Sequence, residues 1–412
     1  MHDVLNYFRL LIFIVGILSG LGMGRHDESK SEKNRVNPSN AESDLTPGHA
    51  KVPGVVINYS PASTREFIGS PSIAVLPNGH YVASHDFFYP RERMTRTKRT
   101  TIVVYGSEDR GETWKQLSRF KGQFWSTLFV YEEALYLFGV SREYGYVVIQ
   151  KSENGGKTWT KPKDGKSGLI KDEAKHQSTP FPPVIHDGRI WKAFEQVGDI
   201  KMSRKDIFDN KGDWRSFVIS APVDANLLNA ENWRVSELLH HEQPNFMWLE
   251  GNIVITPEGR LINILRMNDL KWASYDKAAV VHVSDDGMEL LFDPETDIIN
   301  FPGGGAKFTI HYDEKSSRYW SIGNKQTNPK ARRNVLVLSS SSDLKNWKIE
   351  KTLLQHHDEE KHAWQYVDWL FDGDDIIAVS RTAYDDGLGG AYNHHDANYL
   401  TFHRIKNFRE NE

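Results

Sequence analysis

The sequence predicts an all-β fold, a single β-propeller built of four-stranded blades, and three observations support this. From Val55 onward, short runs of β-branched and aromatic residues are separated by Gly, Asn and Asp, without a long stripe of helical period. A turn motif that ends in Trp recurs along the chain. Pairs of apolar runs joined by tight turns recur at intervals of roughly 55 to 70 residues, the size of a blade with its loops.

Composition narrows the classes of protein further. The chain has 412 residues, of which 51 are Lys or Arg and 55 are Asp or Glu, and it contains no Cys. Disulfides, thiolate metal sites and a Cys nucleophile are therefore excluded. The net charge of −4 provides no general attraction to nucleic acid, so we expect no nucleic-acid partner.

The N-terminal segment predicts export. Arg9 precedes the apolar run Leu10–Leu18, and small residues follow up to Gly24, which is the outline of a signal peptide over residues 1–24. The run is too short for a good transmembrane helix, although an uncleaved anchor is the alternative. Residues 25–54 are polar and predict a flexible linker. We therefore expect a secreted or periplasmic monomer, without stable membrane association, whose propeller and catalytic domain is 55–409.

The recurring turn has a simple local chemistry. Two good copies occupy Ser107–Trp114 and Ser152–Trp159, and degenerate copies occupy Ser341–Trp347 and Ser284–Gly287. The Asp or Asn carbonyl group and the Ser hydroxyl can bind backbone amides of a tight turn, while Gly adopts a positive φ. The Trp would pack beneath the turn.

Hairpins supply the blade count. Six apolar runs turn back at Asn78–Gly79, Glu133–Ala134, Asp187–Gly188, Glu258–Gly259, Lys315–Ser317 and Asp372–Asp374. These predict six clear repeats. The last repeat lacks an obvious fourth strand, and Val55–Tyr59 could supply it and close the ring, which would remove both sheet edges.

Blade geometry predicts which residues face the mouth of the ring. Inner strands begin there and second strands end there, so polar residues at those points are candidates for a site. By this rule we predict substrate-binding roles for Asp86, Arg142, Glu250, Asn252, Arg266, Lys307, Gln365, Asp368 and Arg381. Glu195 and His176 are candidate catalytic residues. Arg189 is added to the binding set, although it follows a turn and should lie on the far side.

Three further features concern ligands. Five cations between Arg91 and Arg99 follow the strand that ends near His85, and they predict an anionic partner. Trp125, Tyr366 and Trp369 could offer faces on which a sugar stacks. The His-rich stretches, including His395, lack a ligand spacing, so we predict no metal site there. A structural or site Ca²⁺ is left open as an alternative, although no EF-hand-like spacing supports it.

The turn motif is the Asp-box of the sialidase superfamily, which the sequence resembles over Val55–Arg409. A sialidase needs three Arg that bind a carboxylate and a Tyr nucleophile with a Glu partner. The first Arg of the family lies in a Phe/Tyr-Arg-Ile-Pro motif, and the corresponding stretch Phe67–Pro71 contains no Arg. An exo-sialidase is therefore an alternative, with Arg142, Arg266 and Arg381 as its carboxylate-binding cluster.

Several short stretches of the sequence resemble a second branch of the superfamily, the secreted propellers of the glycoside hydrolase family 145 type and the ulvan lyases. They are Phe67–Ile73, Leu76–Asp86, Glu250–Asn252, Phe301–Gly304, Lys307–Ile310 and Ala397–Arg404. This resemblance implies seven blades, the seventh lying in Val197–Asn245, and a His-centred mechanism carried by His85. It also implies cleavage of a rhamnose–uronic acid linkage in an anionic plant or algal polysaccharide.

The chemistry leaves lyase and hydrolase open. A His of near-neutral pKa can abstract the C5 proton of a uronate once Arg neutralises its carboxylate. A hydrolase would instead use two facing carboxylates, for which Glu195 and Glu250 are available. A glycan-binding propeller without catalysis is the third interpretation, because fold does not determine function.

Overall fold

The computed structural model describes residues 48–90, 100–209, 214–239, 248–267, 276–326 and 332–410. All of them belong to one compact unit, Leu45–Glu412. The predicted signal peptide, the predicted linker up to residue 47 and the cationic stretch Arg91–Arg99 lie outside the described residues.

Strands are the main regular structure of the described chain. In chain order the strands are β1 (Val55–Tyr59), β2 (Phe67–Ile68), β3 (Ser72–Val75), β4 (Tyr81–Phe88), β5 (Thr101–Ser107), β6 (Lys115–Lys121), β7 (Phe124–Tyr131), β8 (Ala134–Val140), β9 (Gly145–Ser152), β10 (Leu169–Gln177), β11 (Val184–His186), β12 (Arg189–Asp199), β13 (Arg215–Pro222), β14 (Arg234–Val235), β15 (Trp248–Ile255), β16 (Leu261–Met267), β17 (Lys277–Val283), β18 (Leu290–Leu291), β19 (Ile298–Asn300), β20 (Thr309–Asp313), β21 (Arg318–Asn324), β22 (Val335–Ser341), β23 (Lys348–Gln355), β24 (Ala363–Asp372), β25 (Asp375–Ala383) and β26 (Tyr399–Ile405). One α-helix, α1 (Arg204–Asp209), and the 3₁₀ turns His49–Lys51, Ala62–Thr64 and Ala230–Asn232 complete the elements.

Within the described ranges these strands form five antiparallel sheets arranged as a β-propeller. Four sheets have the four or five strands of a single blade: β2–β6, β15–β19, β20–β23, and β24–β26 with β1. The fifth has eight strands, β7–β14, because β10 pairs with β12. The all-β propeller is confirmed. The predicted count of six or seven repeats is not confirmed, because the strands form five hydrogen-bonded sheets.

All six predicted hairpins are present. They are β3–β4, β7–β8, β11–β12, β15–β16, β20–β21 and β24–β25. The predicted ring closure is also confirmed, because β1 pairs antiparallel with β26, from Val55 opposite Phe402 to Tyr59 opposite Tyr399. The first strand of the propeller therefore covers the edge of its last sheet.

The Asp-box turns share one bonding pattern. In three copies the indole Nε1 of the Trp donates to the carbonyl three residues earlier, at 3.1 Å for Trp114, 3.1 Å for Trp159 and 3.0 Å for Trp347. In the first copy Asp109 Oδ1 accepts the Thr113 N–H at 2.9 Å, as the motif predicts.

Buried polar side chains join neighbouring sheets, and they include three predicted substrate-binding residues. Asp368 Oδ2 accepts from Ser72 Oγ at 2.7 Å, and Asn252 Oδ1 accepts from the Ile310 N–H at 3.2 Å. Lys307 Nζ donates to a carbonyl oxygen of β24 at 2.5 Å. All three side chains are buried and their described contacts are structural, while their binding of substrate stays a prediction.

Candidate functional site

Three inner strands begin with a β-bulge at the same level of the ring, and each bulge contains a non-Gly residue with positive φ. These residues are Trp125 in β7 (47°), Glu250 in β15 (58°) and Tyr366 in β24 (55°). Positive φ is uncommon for such residues, and a bulge re-aims a side chain out of the alternation of its strand. All three side chains line one cavity.

The cavity lies at the strand ends where the mouth was expected. Its volume is about 420 Å³. Its lining consists of Phe88, Tyr89, Pro90, Trp125, Glu143, Tyr144, Gln177, Ser178, Thr179, Trp214, Leu249, Glu250, Arg266, Tyr366, His395 and Asp396.

A Glu–Tyr–Arg cluster forms the polar wall of this cavity. The Tyr366 hydroxyl donates to Glu250 Oε1 at 2.9 Å, and Arg266 Nη1 donates to Glu250 Oε2 at 3.1 Å. Arg266 Nε also donates to the Gly305 carbonyl at 2.9 Å, which fixes the guanidinium against the next sheet. Burial lowers the pKa of Arg266, but the negative charge of Glu250 and the contacts with Glu250 and Tyr366 outweigh it, so the net change is upward.

Two further Arg pack on Tyr366. The guanidinium carbons of Arg381 and Arg333 lie 4.5 Å and 5.1 Å from the centre of its ring. Burial lowers the pKa of Arg381 to about 10, so this side chain remains a cation at neutral pH. Its Nε and Nη1 have no hydrogen-bond acceptor among the described residues. Three guanidinium groups, including that of Arg266, therefore converge on one tyrosine.

Gln365 connects these groups. Its Oε1 accepts hydrogen bonds from Arg333 Nη1 and, at 3.2 Å, from Arg381 Nη2. Its Nε2 donates to the carbonyl oxygens of His394 and His395, the latter at 3.3 Å. Gln365 is completely buried and positions the groups around Tyr366, while its predicted contact with substrate stays a prediction.

A His–Asp pair stands on the same wall. His395 Nδ1 donates to Asp396 Oδ1 at 2.8 Å, and the His395 side chain is 46% exposed. The surrounding protein and then the charge of Arg381 lower the pKa of His395, and the hydrogen bond to Asp396 opposes them.

The opposite wall is aromatic. The Trp125 ring lies 5.3 Å from that of Tyr144, whose other neighbour is Trp214 at 6.1 Å. Phe88 extends this surface toward His395, at 6.1 Å between ring centres. Such rings can stack on the apolar face of a sugar.

The two histidines predicted to be catalytic are both outside the cavity. His85 is fully buried, its Nδ1 donates to the Asp86 carbonyl at 2.8 Å, and its Nε2 accepts from Asn58 at 2.9 Å. Burial lowers the pKa of His85 to about 4, and that of His176, which packs edge-on against Phe217, to about 3. Both are buried core residues outside the cavity, which argues against the catalytic roles predicted for them, and those roles stay predictions.

Asp86 and Glu195 hold the bulges in place. Asp86 Oδ2 accepts the Trp125 N–H at 2.7 Å, and Glu195 Oε1 accepts the Gly251 N–H at 3.2 Å. Both carboxyls are buried, and burial raises the pKa of Glu195 to about 8. Each acts through the backbone of a neighbouring strand, so neither the catalytic role of Glu195 nor the binding role of Asp86 is supported by these contacts.

The remaining two predicted residues lie apart from the cluster. Arg189 donates to the Ser220 hydroxyl and carbonyl oxygens, both at 2.9 Å, beside the turn on the far side of the ring. These contacts are structural, and its predicted binding role stays a prediction. Arg142 lies in the loop after β8, where the next two residues, Glu143 and Tyr144, line the cavity.

The bulges explain why sequence reasoning gave Tyr366 too small a role. The strand-start rule assigned substrate binding to Gln365 and Asp368 of β24 and only sugar stacking to Tyr366, whereas the bulge between Gln365 and Asp368 brings the Tyr366 side chain to the cavity. Arg333 precedes β22, a third strand, and third strands also begin at the mouth. Extending the strand-end rule to third strands would have found Arg333.

Metal and membrane signatures are both absent from the part of the chain that the structure describes. In that part no three His, Asp or Glu side chains are grouped so that they could hold a metal ion. Nor does any described helix have the length and apolar character needed to cross a membrane.

Comparison with known proteins identifies the fold. No protein-family model matches the chain, and no curated protein matches its sequence. The Hadza microbial sialidase Hz136 superposes with a TM-score of 0.57 at 13% identity, covering 86% of this chain and 68% of that one.

Two further structures give the same result. The leech intramolecular trans-sialidase has a TM-score of 0.56 at 12% identity, with coverages of 86% and 70%. The Penicillium chrysogenum α-L-arabinanase, complexed with arabinobiose, has a TM-score of 0.54 at 14% identity, with coverages of 87% and 99%. At these identities the likeness concerns the fold alone, and that fold is a β-propeller.

Proposed function

We propose that this protein is a glycoside hydrolase that releases a terminal sugar acid of the sialic acid type from a glycan. The observation that carries the proposal is the hydrogen bond from Tyr366 to Glu250, 2.9 Å long, with three guanidinium groups around it. These are the groups that a sialidase requires. The sialidase-like fold and the carbohydrate-active neighbours support the same class of reaction.

The pairing suits one kind of substrate. A sugar whose anomeric carbon carries a carboxylate repels a charged carboxylate nucleophile, and sialidases use a Tyr nucleophile instead. Tyr366 approaches as a neutral phenol and can pass its proton to Glu250 as its oxygen attacks the anomeric carbon. Guanidinium groups pair with carboxylates in two-bond geometry, so Arg266, which lines the cavity, is suited to bind the sugar acid. The buried Arg333 and Arg381 add positive charge behind Tyr366.

The site also departs from the family pattern in a way that the proposal accommodates. The stretch Phe67–Pro71 lacks the expected Arg, and Gly69 leaves no space there because an added Cβ would lie 1.7 Å from Asp86 Oδ1. Arg381 approaches Tyr366 from β25 instead. We propose that Arg381 replaces the missing cation.

A panel of nitrophenyl glycosides tests the proposal. The sialoside should be hydrolysed, with the arabinofuranoside and glucuronide cleaved far more slowly. Tyr366→Phe should lose at least about a thousandfold in kcat, because the nucleophile is removed while the ring stays. Hydrolysis of the arabinofuranoside without activity on the sialoside would overturn the acidic-sugar assignment, and full activity of Tyr366→Phe would overturn the mechanism.

Cleavage of a rhamnose–uronic acid linkage in an anionic polysaccharide is the second candidate. It is favoured by His395, which stands with Tyr366 on the wall of one cavity and could act as the base of a lyase. Digestion of gum arabic and ulvan, followed by ultraviolet absorbance of unsaturated uronates, distinguishes this reaction from hydrolysis. Absorbance without release of sialic acid would favour the second candidate over the first.

We also propose that the ring has six blades. The eight-stranded sheet contains two of the six predicted hairpins, β7–β8 and β11–β12. Each of the other sheets contains one. On this interpretation β7–β10 and β11–β14 are two blades that share the β10–β12 pairing.

A further inference from the structure

We propose that the His395–Asp396 pair is the proton-transfer group of this site, acting as general acid toward the leaving sugar and then as general base toward water. The inference rests on the proposed function, because it assigns the partner that a Tyr366 nucleophile needs.

Geometry is the first support. His395 lines the same cavity as Tyr366 and Glu250, and nearly half of its side chain is exposed. Because Nδ1 donates to Asp396 at 2.8 Å, the opposite nitrogen, Nε2, is the one that can exchange a proton with a ligand. Glu250 is already bonded to Tyr366 and Arg266, so it serves the nucleophile.

The loop that carries the pair is held rigidly. Asn393 Oδ1 accepts the backbone N–H groups of His395 and Asp396, at 2.8 Å and 2.7 Å, and its Nδ2 donates to Asp396 Oδ2 at 3.1 Å. Gln365 binds the carbonyl oxygens of His394 and His395 from below. The side chain next to Tyr366 in sequence therefore fixes His395, as the positioning of a catalytic group requires.

The reaction balances with these groups alone. As the Tyr366 oxygen bonds to the anomeric carbon, its proton passes to Glu250, the glycosidic C–O bond breaks, and His395 Nε2 protonates the departing oxygen. Neutral His395 then takes a proton from water, whose oxygen attacks the anomeric carbon. The bond to Tyr366 breaks, and Glu250 returns the proton to the phenol.

The charges that face His395 link its protonation to the substrate. They are Asp396 in its own loop, Arg381 on β25 and Arg333 before β22, while β4 contributes the uncharged ring of Phe88. The two Arg help to keep His395 neutral in the free protein. A bound carboxylate would offset their charge and raise the pKa of His395, so the acid would be protonated when an acidic sugar is present.

Kinetics on two leaving groups test the assignment. Nitrophenol leaves without a proton, whereas the sugar released from sialyllactose needs one. The loss of first-step rate in His395→Ala should therefore be at least about a hundredfold larger on sialyllactose than on nitrophenyl sialoside. His357→Ala, an exposed His outside the cavity, is the matched control and should match the parent on both substrates. Equal losses of His395→Ala on both substrates would overturn the proposal.

The pH profile provides an independent readout. In the parent, the alkaline limb of kcat should lie at higher pH than that of kcat/KM, because kcat reports the substrate complex and kcat/KM the free protein. Asp396→Asn should move the kcat limb to lower pH, because the carboxylate that favours protonated His395 is gone.

Two outcomes separate this proposal from the proposed function. If Tyr366→Phe were inactive while His395→Ala kept the pH profile of the parent, only the role of His395 would be refuted. Glu143 is a further acid that lines the cavity. If Glu143→Gln, and not His395→Ala, lost more rate on sialyllactose than on nitrophenyl sialoside, Glu143 would be the proton donor and the role of the His395–Asp396 pair would be overturned.

Discussion

Gln365→Leu should destabilise the propeller strongly, although the change keeps the side-chain volume nearly constant. Gln365 Oε1 accepts from Arg333 and Arg381, and both guanidinium groups are buried. A hydrogen bond to a charged group contributes about 1.5–3 kcal/mol, and a buried donor left without a partner costs its desolvation. Leu removes both bonds, so we expect the free energy of unfolding to fall by about 3–6 kcal/mol.

Urea unfolding followed by tryptophan fluorescence measures this loss, and Gln365→Glu is the matched control. Glu keeps the acceptor for both Arg but replaces the donor to His394 and His395 with a second acceptor. Its loss of stability should be smaller than that of the Leu variant, whereas its activity on nitrophenyl sialoside should fall because the His395 loop is released. A loss under about 1 kcal/mol in Gln365→Leu would refute the central role of this side chain.

Three further predictions concern the fold and the role of His85. Gly111→Ala should cost about 2 kcal/mol or more in urea unfolding, because φ is +96° and the new Cβ would lie 2.3 Å from Phe402; an unchanged midpoint would contradict this. The hydrogen bond from Arg409 holds the pKa of the Asp313 carboxyl at about 2, below its usual value of 3.8. The ion pair between them therefore stabilises the fold fully above about pH 4, and this stabilisation disappears as pH falls toward 2. The Tm difference between the parent and Asp313→Asn should therefore shrink below about pH 4, and a constant difference would argue against the ion pair. His85→Asn should lower Tm yet keep its activity within about tenfold, because His85 is buried outside the cavity; an inactive variant with an unchanged Tm would restore its catalytic role.

Local rules account for most of the fold. The six hairpins, the Asp-box turns and the pairing of Val55–Tyr59 with the last sheet were all predicted correctly. Each depends on a short window of sequence, because turn residues and strand alternation act over a few positions. The number of sheets was not predictable in the same way, since pairing of β10 with β12 depends on contacts between strands of different hairpins.

The site follows a different logic. Sequence alone identified Glu250, Arg266 and Arg381 as polar residues at strand ends, and these do surround Tyr366. It assigned Gln365 to substrate binding and Tyr366 only to sugar stacking, because a bulge of one residue changes which side chain faces the cavity.

Sequence therefore determined that this chain is a propeller with a polar mouth, while tertiary structure alone decided which polar residues meet there. His85 and Glu195 satisfy the same strand-end rule as Arg266, yet they are buried and bonded to other strands, His85 to Asn58 and Glu195 to Gly251. Only the packing of one blade against the next decides whether a strand-end residue binds backbone or reaches the cavity. That packing joins residues from distant parts of the chain, which no local pattern encodes.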